Sequence, residues 1–168
     1  RMILLDTNVV SQPLRPAPDA RVIAWIDAQP LETLFLSAVT VAELRAGVAL
    51  LPSGRRRAGL HESLEKRVLP LFAGRVLPFD LACTQAYAQL MTAARTAGLA
   101  IATAHGSIAA IAAANGIPNL ICFSGNRFES QSDEMASDVV ADGFRRVVSY
   151  AGGRKVTLLM ELLNSKID

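Results

Sequence analysis

Short apolar segments that each lead into a helical pattern most constrain how this chain folds. Strands are expected at residues 2–5, 34–36, 75–79 and 120–123, with helix signals between them. These segments are mainly apolar rather than alternating, which indicates strands that are buried on both faces. Repeated strand-then-helix order with buried strands predicts an α/β fold in which helices cover both faces of a small parallel sheet.

Helix signals are clearest where a polar residue precedes an apolar repeat. Asp19 and Asp80 are both expected to cap helices, and another helix should open near residues 39–40 and run to about residue 50. Further helices are predicted over about 58–68, 103–114 and 155–163, and a strand over 145–149.

Composition narrows the class of protein. The 168 residues are 51% hydrophobic and 5% aromatic, which is typical of one globular domain with an aliphatic core. No apolar run reaches the ~18–20 residues of a membrane span, and no signal peptide pattern is found.

Cys83 and Cys122 lie in apolar segments and are expected to be buried free thiols, which favours a cytoplasmic location. The net charge of +2 does not by itself indicate nucleic-acid binding, and the three arginines at 55–57 are interpreted as a solvated loop, with a phosphate or partner contact as the alternative.

Acidic residues follow two of the expected strands. Asp6 comes directly after the first strand, and Glu43 lies shortly after the second. Polar site residues gather beyond the carboxyl ends of parallel strands, so both acids are candidates for a functional site. Each also has a structural alternative. Asp6 suits a helix cap or a turn, and the segment from Thr40 to Glu43 matches a capping box.

The segments 2–9 (MILLDTNV) and 37–47 (SAVTVAELRAG) are informative as a pair. Together they resemble the first two motifs of PIN-domain toxins of the VapC class, and among these the toxin half of FitAB-type trafficking pairs. The resemblance covers about residues 2–116 and implies a PIN-like three-layer α/β/α fold. It makes residues 2–116 the PIN core and residues 117–168 a divergent remainder of the same domain, in which 124–142 is expected to be a loose surface segment.

The same resemblance implies a site for Mg²⁺ or Mn²⁺. Carried over by position, Asp6 and Glu43 are catalytic residues and metal ligands, with Thr7 and Asn8 as hydrogen-bonding support. Hard divalent cations prefer oxygen ligands, and such a cation can orient a phosphodiester, offset its charge and activate a water.

The third acidic position of the family holds His105 in this chain, in the segment IATAHG at 101–106. An imidazole can bind Mn²⁺ or Zn²⁺, but it is a poor Mg²⁺ ligand and removes one negative charge. His105 is therefore predicted as the third catalytic and metal-binding residue of an altered site, and a histidine that ligates nothing is the alternative.

The fourth position of the family site is harder to match. Ser124 and Asn126 are predicted as supporting residues there, with Asp133 or Asp138 as alternatives.

The resemblance implies a divalent-metal-dependent endoribonuclease toxin of a type II toxin–antitoxin pair. Its expected partners are an RNA substrate, an antitoxin of the ribbon-helix-helix type and a second copy of the chain, with operator DNA reached only through the antitoxin. The alternative is a catalytically impaired PIN-fold binding module that acts mainly through its antitoxin complex on operator DNA. An unrelated nucleotide-binding α/β domain is disfavoured because the chain has no phosphate-binding glycine loop.

Overall fold

A parallel sheet forms the centre of the molecule. The computed structural model describes residues 2–96, 101–123, 132, 134–135, 138 and 157–161. Within these residues the strands are β1 (Ile3–Leu4), β2 (Leu34–Ser37), β3 (Val76–Leu77), β4 (Asn119–Phe123) and β5 (Thr157–Glu161). They form a five-stranded sheet of order β3-β2-β1-β4-β5 in which all pairs are parallel.

Helices connect the strands. In the described part of the chain they are α1 (Thr7–Val10), α2 (Ala20–Asp27), α3 (Ala38–Ala49), α4 (Arg55–Ser63), α5 (Leu81–Thr96) and α6 (Thr103–Ala114). A π-helical segment at Leu64–Val68 continues α4, and short 3₁₀ turns lie at Gln12–Leu14, Leu31–Thr33 and Leu69–Phe72. The predicted α/β fold with a small parallel sheet is confirmed.

Successive residues of the first strand point into two different cores. Ile3 and Leu5 belong to a cluster that includes buried residues of α1, α3 and the segment after α4. Leu4 belongs to a second cluster, which includes Cys83 of α5 and Ile108 and Ile111 of α6. Because side chains alternate across a strand, these clusters lie on opposite faces of the sheet. Helices therefore cover both faces, as the three-layer prediction requires.

The strand order makes β1 a special position. From β1 the chain proceeds to β2 and then β3 on one side, and it later enters the sheet at β4 on the other side of β1. The order thus reverses between β1 and β4. In open parallel sheets, ligands bind in the crevice outside the carboxyl ends of the strands at such a reversal.

Two of the predicted caps are confirmed, and one interpretation is wrong. Asp19 caps α2, where its Oδ1 accepts a hydrogen bond of 2.9 Å from the backbone N–H of Arg21. Asp80 precedes α5 and accepts a hydrogen bond of 3.2 Å from the backbone N–H of Cys83. The three arginines at 55–57 form the first turn of α4 rather than a loop, because this helix begins about three residues earlier than expected.

The expected helix over 155–163 is also wrong. Residues Thr157–Glu161 form β5, which pairs with β4 from Asn119↔Thr157 to Phe123↔Glu161. Apolar spacing in so short a segment fits either a helix or a strand. Here the pairing with β4 makes the segment a strand. The strand expected at 145–149 lies outside the described residues, as do Ser124, Asn126 and Asp133 and most of the segment 124–142.

Two further predictions concern burial and membranes. Cys83 is a buried free thiol, as expected. The side chain of Cys122 lies outside the described part of the chain. Among the described residues, the helices are too short or too polar to cross a bilayer.

Candidate metal centre

Asp6 stands where the sheet order reverses. It lies just after β1, and the residue is 3% exposed. It occupies the cap position of α1, but its carboxylate caps no backbone N–H there. The Asn8 amide instead donates a hydrogen bond of 3.2 Å to Asp6 Oδ2. Asp6 is thus at the N-cap position but its side chain does not cap the helix, and the buried carboxylate has the Asn8 amide as a partner.

Glu43 is tied to Thr7, the residue after Asp6, by a contact between distant parts of the chain. Thr7, the neighbour of Asp6, donates a hydrogen bond of 2.5 Å from Oγ1 to Glu43 Oε2. This bond joins α1 to α3 and brings the Glu43 carboxylate next to the residue that follows Asp6. The structure thus brings together four predicted site residues, Asp6, Thr7, Asn8 and Glu43.

The capping box proposed for Glu43 does not form. Ser37 is the N-cap of α3, and its hydroxyl accepts a hydrogen bond of 2.8 Å from the backbone N–H of Thr40. The helix begins at Ala38, so Glu43 lies in its second turn, beyond the reach of a first-turn cap. The carboxylate of Glu43 is therefore available to the site.

Ser37 and Thr40 are supporting residues that the sequence argument did not predict in this role, since it considered Thr40 only as the start of a capping box. Their hydroxyls lie 2.8 Å apart, and Thr40 Oγ1 also donates to the backbone carbonyl of Leu5 at 3.5 Å. Both side chains are fully buried. These bonds tie the start of α3 to the residue before Asp6. The Ser-x-x-Thr spacing directly after a strand was the signal for them, since it is typical of an N-cap.

His105 lies in the first turn of α6 and is exposed. Val39, in the first turn of α3, packs against the apolar cluster that contains Ile108, one turn further along α6. Residues of α3 and α6 therefore contact the same apolar cluster. Among the described residues no hydrogen bond joins His105 to Asp6 or Glu43, so its part in the site stays a prediction. Asp138 is exposed, and its alternative role in the site stays a prediction.

The donor set at Asp6 and Glu43 fits a hard divalent cation. None of the ion pairs among the described residues involves either carboxylate, so no protein cation neutralises them there. No three His, Cys, Asp or Glu side chains in the same residues stand together as a metal cluster. Mg²⁺ commonly binds one or two carboxylates and fills its other positions with waters and substrate phosphates. Two carboxylates at a crevice edge suit that mode of binding.

Comparison with known proteins then decides the family. Residues 3–133 match the sequence profile of the family described as PIN domain. The chain belongs to the PIN-domain family. The resemblance recognised from the segments 2–9 and 37–47 is confirmed.

This PIN-domain chain is similar to one protein named as a toxin and to one named as a ribonuclease. It is 60% identical to Toxin FitB of Neisseria gonorrhoeae over 111 residues, which cover 66% of this chain and 80% of FitB. It is 56% identical to VapC ribonuclease Y4jK of Sinorhizobium fredii over 115 residues, 68% of this chain and 82% of that protein. A solved structure of FitAB bound to an IR36 DNA fragment matches with a TM-score of 0.73 and 40% identity, covering 98% of this chain and 100% of the matched chain.

Proposed function

We propose that this chain is a divalent-metal-dependent endoribonuclease toxin of a type II toxin–antitoxin pair, acting in the cytoplasm. The observation that carries the proposal is the buried Asp6 carboxylate at the point where the strand order reverses. It forms no ion pair among the described residues, and the next residue, Thr7, is bonded to Glu43. Burial of a carboxylate without a cation is unfavourable, so such a group is typical of a site that receives one. The names of FitB and Y4jK, as a toxin and a ribonuclease, support this assignment.

The residues of the chain prepare the site before substrate arrives. Asp6 and Glu43 would hold Mg²⁺ or Mn²⁺, while Asn8 and Thr7 orient the two carboxylates through their hydrogen bonds. When bound, the cation offsets charge on the phosphodiester and lowers the pKa of an attacking water. The Thr7 bond engages one oxygen of Glu43, which fixes the carboxylate plane and reduces the entropy lost when the site is filled.

The proposed partners follow from the same relatives. We propose an RNA substrate, an antitoxin of the ribbon-helix-helix type, and a homodimer within a larger complex that reaches operator DNA only through the antitoxin. The likeness to FitAB bound to a DNA fragment supports this, since that structure pairs a similar chain with a partner on DNA.

RNA cleavage by the purified chain tests the proposal. Asp6→Asn should lower Mn²⁺-supported cleavage by at least about a hundredfold, because a metal ligand is removed with little change of shape. Asp27→Asn is the matched control, because Asp27 ends α2 and is exposed. Cleavage that survives both Asp6→Asn and a metal chelator would overturn the proposal.

His105 favours a second candidate, a PIN-fold binding module whose catalysis is weakened. In that case His105→Asp should raise Mg²⁺-supported cleavage, because it restores an oxygen ligand and a negative charge. His61→Asp introduces the same change on the exposed surface of α4 and should have no such effect. Equal activity of the His105→Asp variant and the parent chain across Mg²⁺ and Mn²⁺ titrations would contradict this candidate.

A further inference from the structure

A cavity of about 710 Å³ lies between α3 and α4. Its side on α3 is formed by three residues at helical spacing, Arg45, Val48 and Ala49. Its side on α4 and on the π-helical segment that follows is formed by three residues four positions apart, Arg57, His61 and Glu65. Cavities of this size and mixed lining are typical of sites for small molecules.

Two of the charged residues in the cavity are paired with each other. The Arg45 guanidinium donates two hydrogen bonds to the Glu65 carboxylate, at 2.7 and 2.8 Å. These bonds from Arg45 hold the pKa of Glu65 below its ordinary value, and the charge of His61 acts in the same direction. Glu65 is therefore ionised and bound to Arg45, so it does not serve as the counter-ion of the other basic residues.

Arg57 supplies the positive charge of the cavity that has no counter-ion. It is half-buried, whereas its neighbours Arg55 and Arg56 are exposed. None of the ion pairs among the described residues involves Arg57. Withdrawing a charged group from water without a partner is unfavourable. An anion in the cavity would remove that cost.

The start of α4 adds to the positive charge at this place. Its first turn consists of three arginines and contains no acidic residue. Cations are unfavourable in the first turn of a helix, because that end of the helix already carries a partial positive charge. Gly54, which lines the cavity, is the N-cap and has no side chain that could accept from the first-turn N–H groups. An anion beside Arg57 would interact favourably with both the guanidinium and the helix end.

We propose that the cavity between α3 and α4 is a phosphate-binding site, separate from the site at Asp6 and Glu43. The planar guanidinium of Arg57 can donate two parallel hydrogen bonds to a phosphate group. Arg45 follows Glu43 by two positions on α3, so the two side chains point about 200° apart around the helix. The phosphate therefore binds on a different side of α3 from the Glu43 carboxylate. Two sources carry such a group, a free nucleotide and the backbone of an RNA strand.

Titration of the metal-free chain with inorganic phosphate at constant ionic strength tests the proposal. The backbone amide signals of residues 54–58 should shift saturably in the NMR spectrum. Arg57→Gln should weaken binding by about tenfold, the loss expected when a charged hydrogen-bond donor is removed. Arg55→Gln is the matched control, because it removes the same charge from the same helical turn but does not line the cavity. It should weaken binding by less than about twofold.

A second pair of variants adds charge instead of removing it. Ala58→Glu places a carboxylate at the cavity and should weaken phosphate binding as Arg57→Gln does. Gly59→Glu introduces the same charge at the next residue, which does not line the cavity and has nothing within 4 Å of a built Cβ. It should bind phosphate nearly as the parent does.

Adenosine 5′-monophosphate and a short RNA distinguish the two sources. A nucleotide that binds as tightly as the RNA supports a site for free nucleotides. Affinity that rises with RNA length and falls steeply with salt supports a site for the RNA backbone.

Three results would overturn the proposal. Equal losses in Arg57→Gln and Arg55→Gln would show unspecific attraction, and tighter binding of hexaglutamate than of any phosphate probe would show a site for an acidic protein segment. Loss of phosphate binding in Asp6→Asn would show that the two sites are not separate. Each of these results leaves the proposed ribonuclease function to its own cleavage test.

Discussion

Removing the Ser37 hydroxyl tests how the structure holds Glu43 in place. The Ser37 side chain caps α3 by accepting from the Thr40 N–H at 2.8 Å, and it shares a second bond of 2.8 Å with the Thr40 hydroxyl. Both residues are 0% exposed, so water cannot replace the lost acceptor. Ser37→Ala is expected to destabilise the fold and to loosen the start of α3.

The size of the effect follows from these contacts. Loss of an N-cap hydroxyl costs about 1 kcal/mol on average, and a buried donor left without a partner costs about 1–3 kcal/mol. The two terms overlap at the Thr40 N–H, which gives a loss of about 2–3 kcal/mol in the free energy of unfolding. For a chain of this size that corresponds to a melting temperature lower by roughly 4–12 °C.

Urea unfolding at a fixed protein concentration measures this loss. Ser53→Ala is the matched control, since Ser53 is exposed in the loop before α4 and should change stability by less than about 0.5 kcal/mol. If Ser37→Ala lowers the free energy of unfolding no more than Ser53→Ala does, the cap does not anchor α3 and the reasoning is refuted.

Three other results are expected. The side chain and backbone of Arg21 hold the pKa of Asp19 at about 2 against an ordinary 3.8, so the stabilising effect of its charge should be lost as pH falls from 3.8 towards 2. The stability difference between the parent and Asp19→Asn should shrink over that interval, and a constant difference would contradict the expectation. Burial raises the pKa of the Cys83 thiol, so a thiol reagent at mildly alkaline pH should modify Cys83 only after denaturation, and rapid native labelling lost in Cys83→Ala would show otherwise. The free chain should sediment as a homodimer at micromolar concentration, and a monomer there would contradict that proposal.

The fold and the first two acids could be predicted because their signals are local. Apolar strands followed by polar residues place Asp6 and Glu43 at one edge of a parallel sheet, and the structure has them there. The capping box given as the alternative for Glu43 does not form, because two overlapping Ser/Thr-x-x patterns compete for the N-cap. The sequence alone does not show that Ser37 is the N-cap of α3, because the position of the cap depends on where β2 ends.

Long-range contacts account for what the sequence could not show. Thr157–Glu161 is a strand because it pairs with β4. In so short a segment the hydrophobic periodicity does not distinguish a strand from a helix. The Thr7–Glu43 bond joins residues 36 positions apart, so spacing along the chain does not show it.

Mn²⁺ binding measured by calorimetry on Asp6→Asn and Glu43→Gln, beside the parent chain, tests the central claim most directly. The account predicts that the parent binds Mn²⁺ and that either substitution weakens binding by at least about tenfold, because a direct ligand is removed. Asp6→Asn should remain folded without metal, since it removes a buried charge that no ion pair among the described residues neutralises. Unchanged Mn²⁺ affinity in both folded variants would contradict the claim that these two carboxylates form the metal centre.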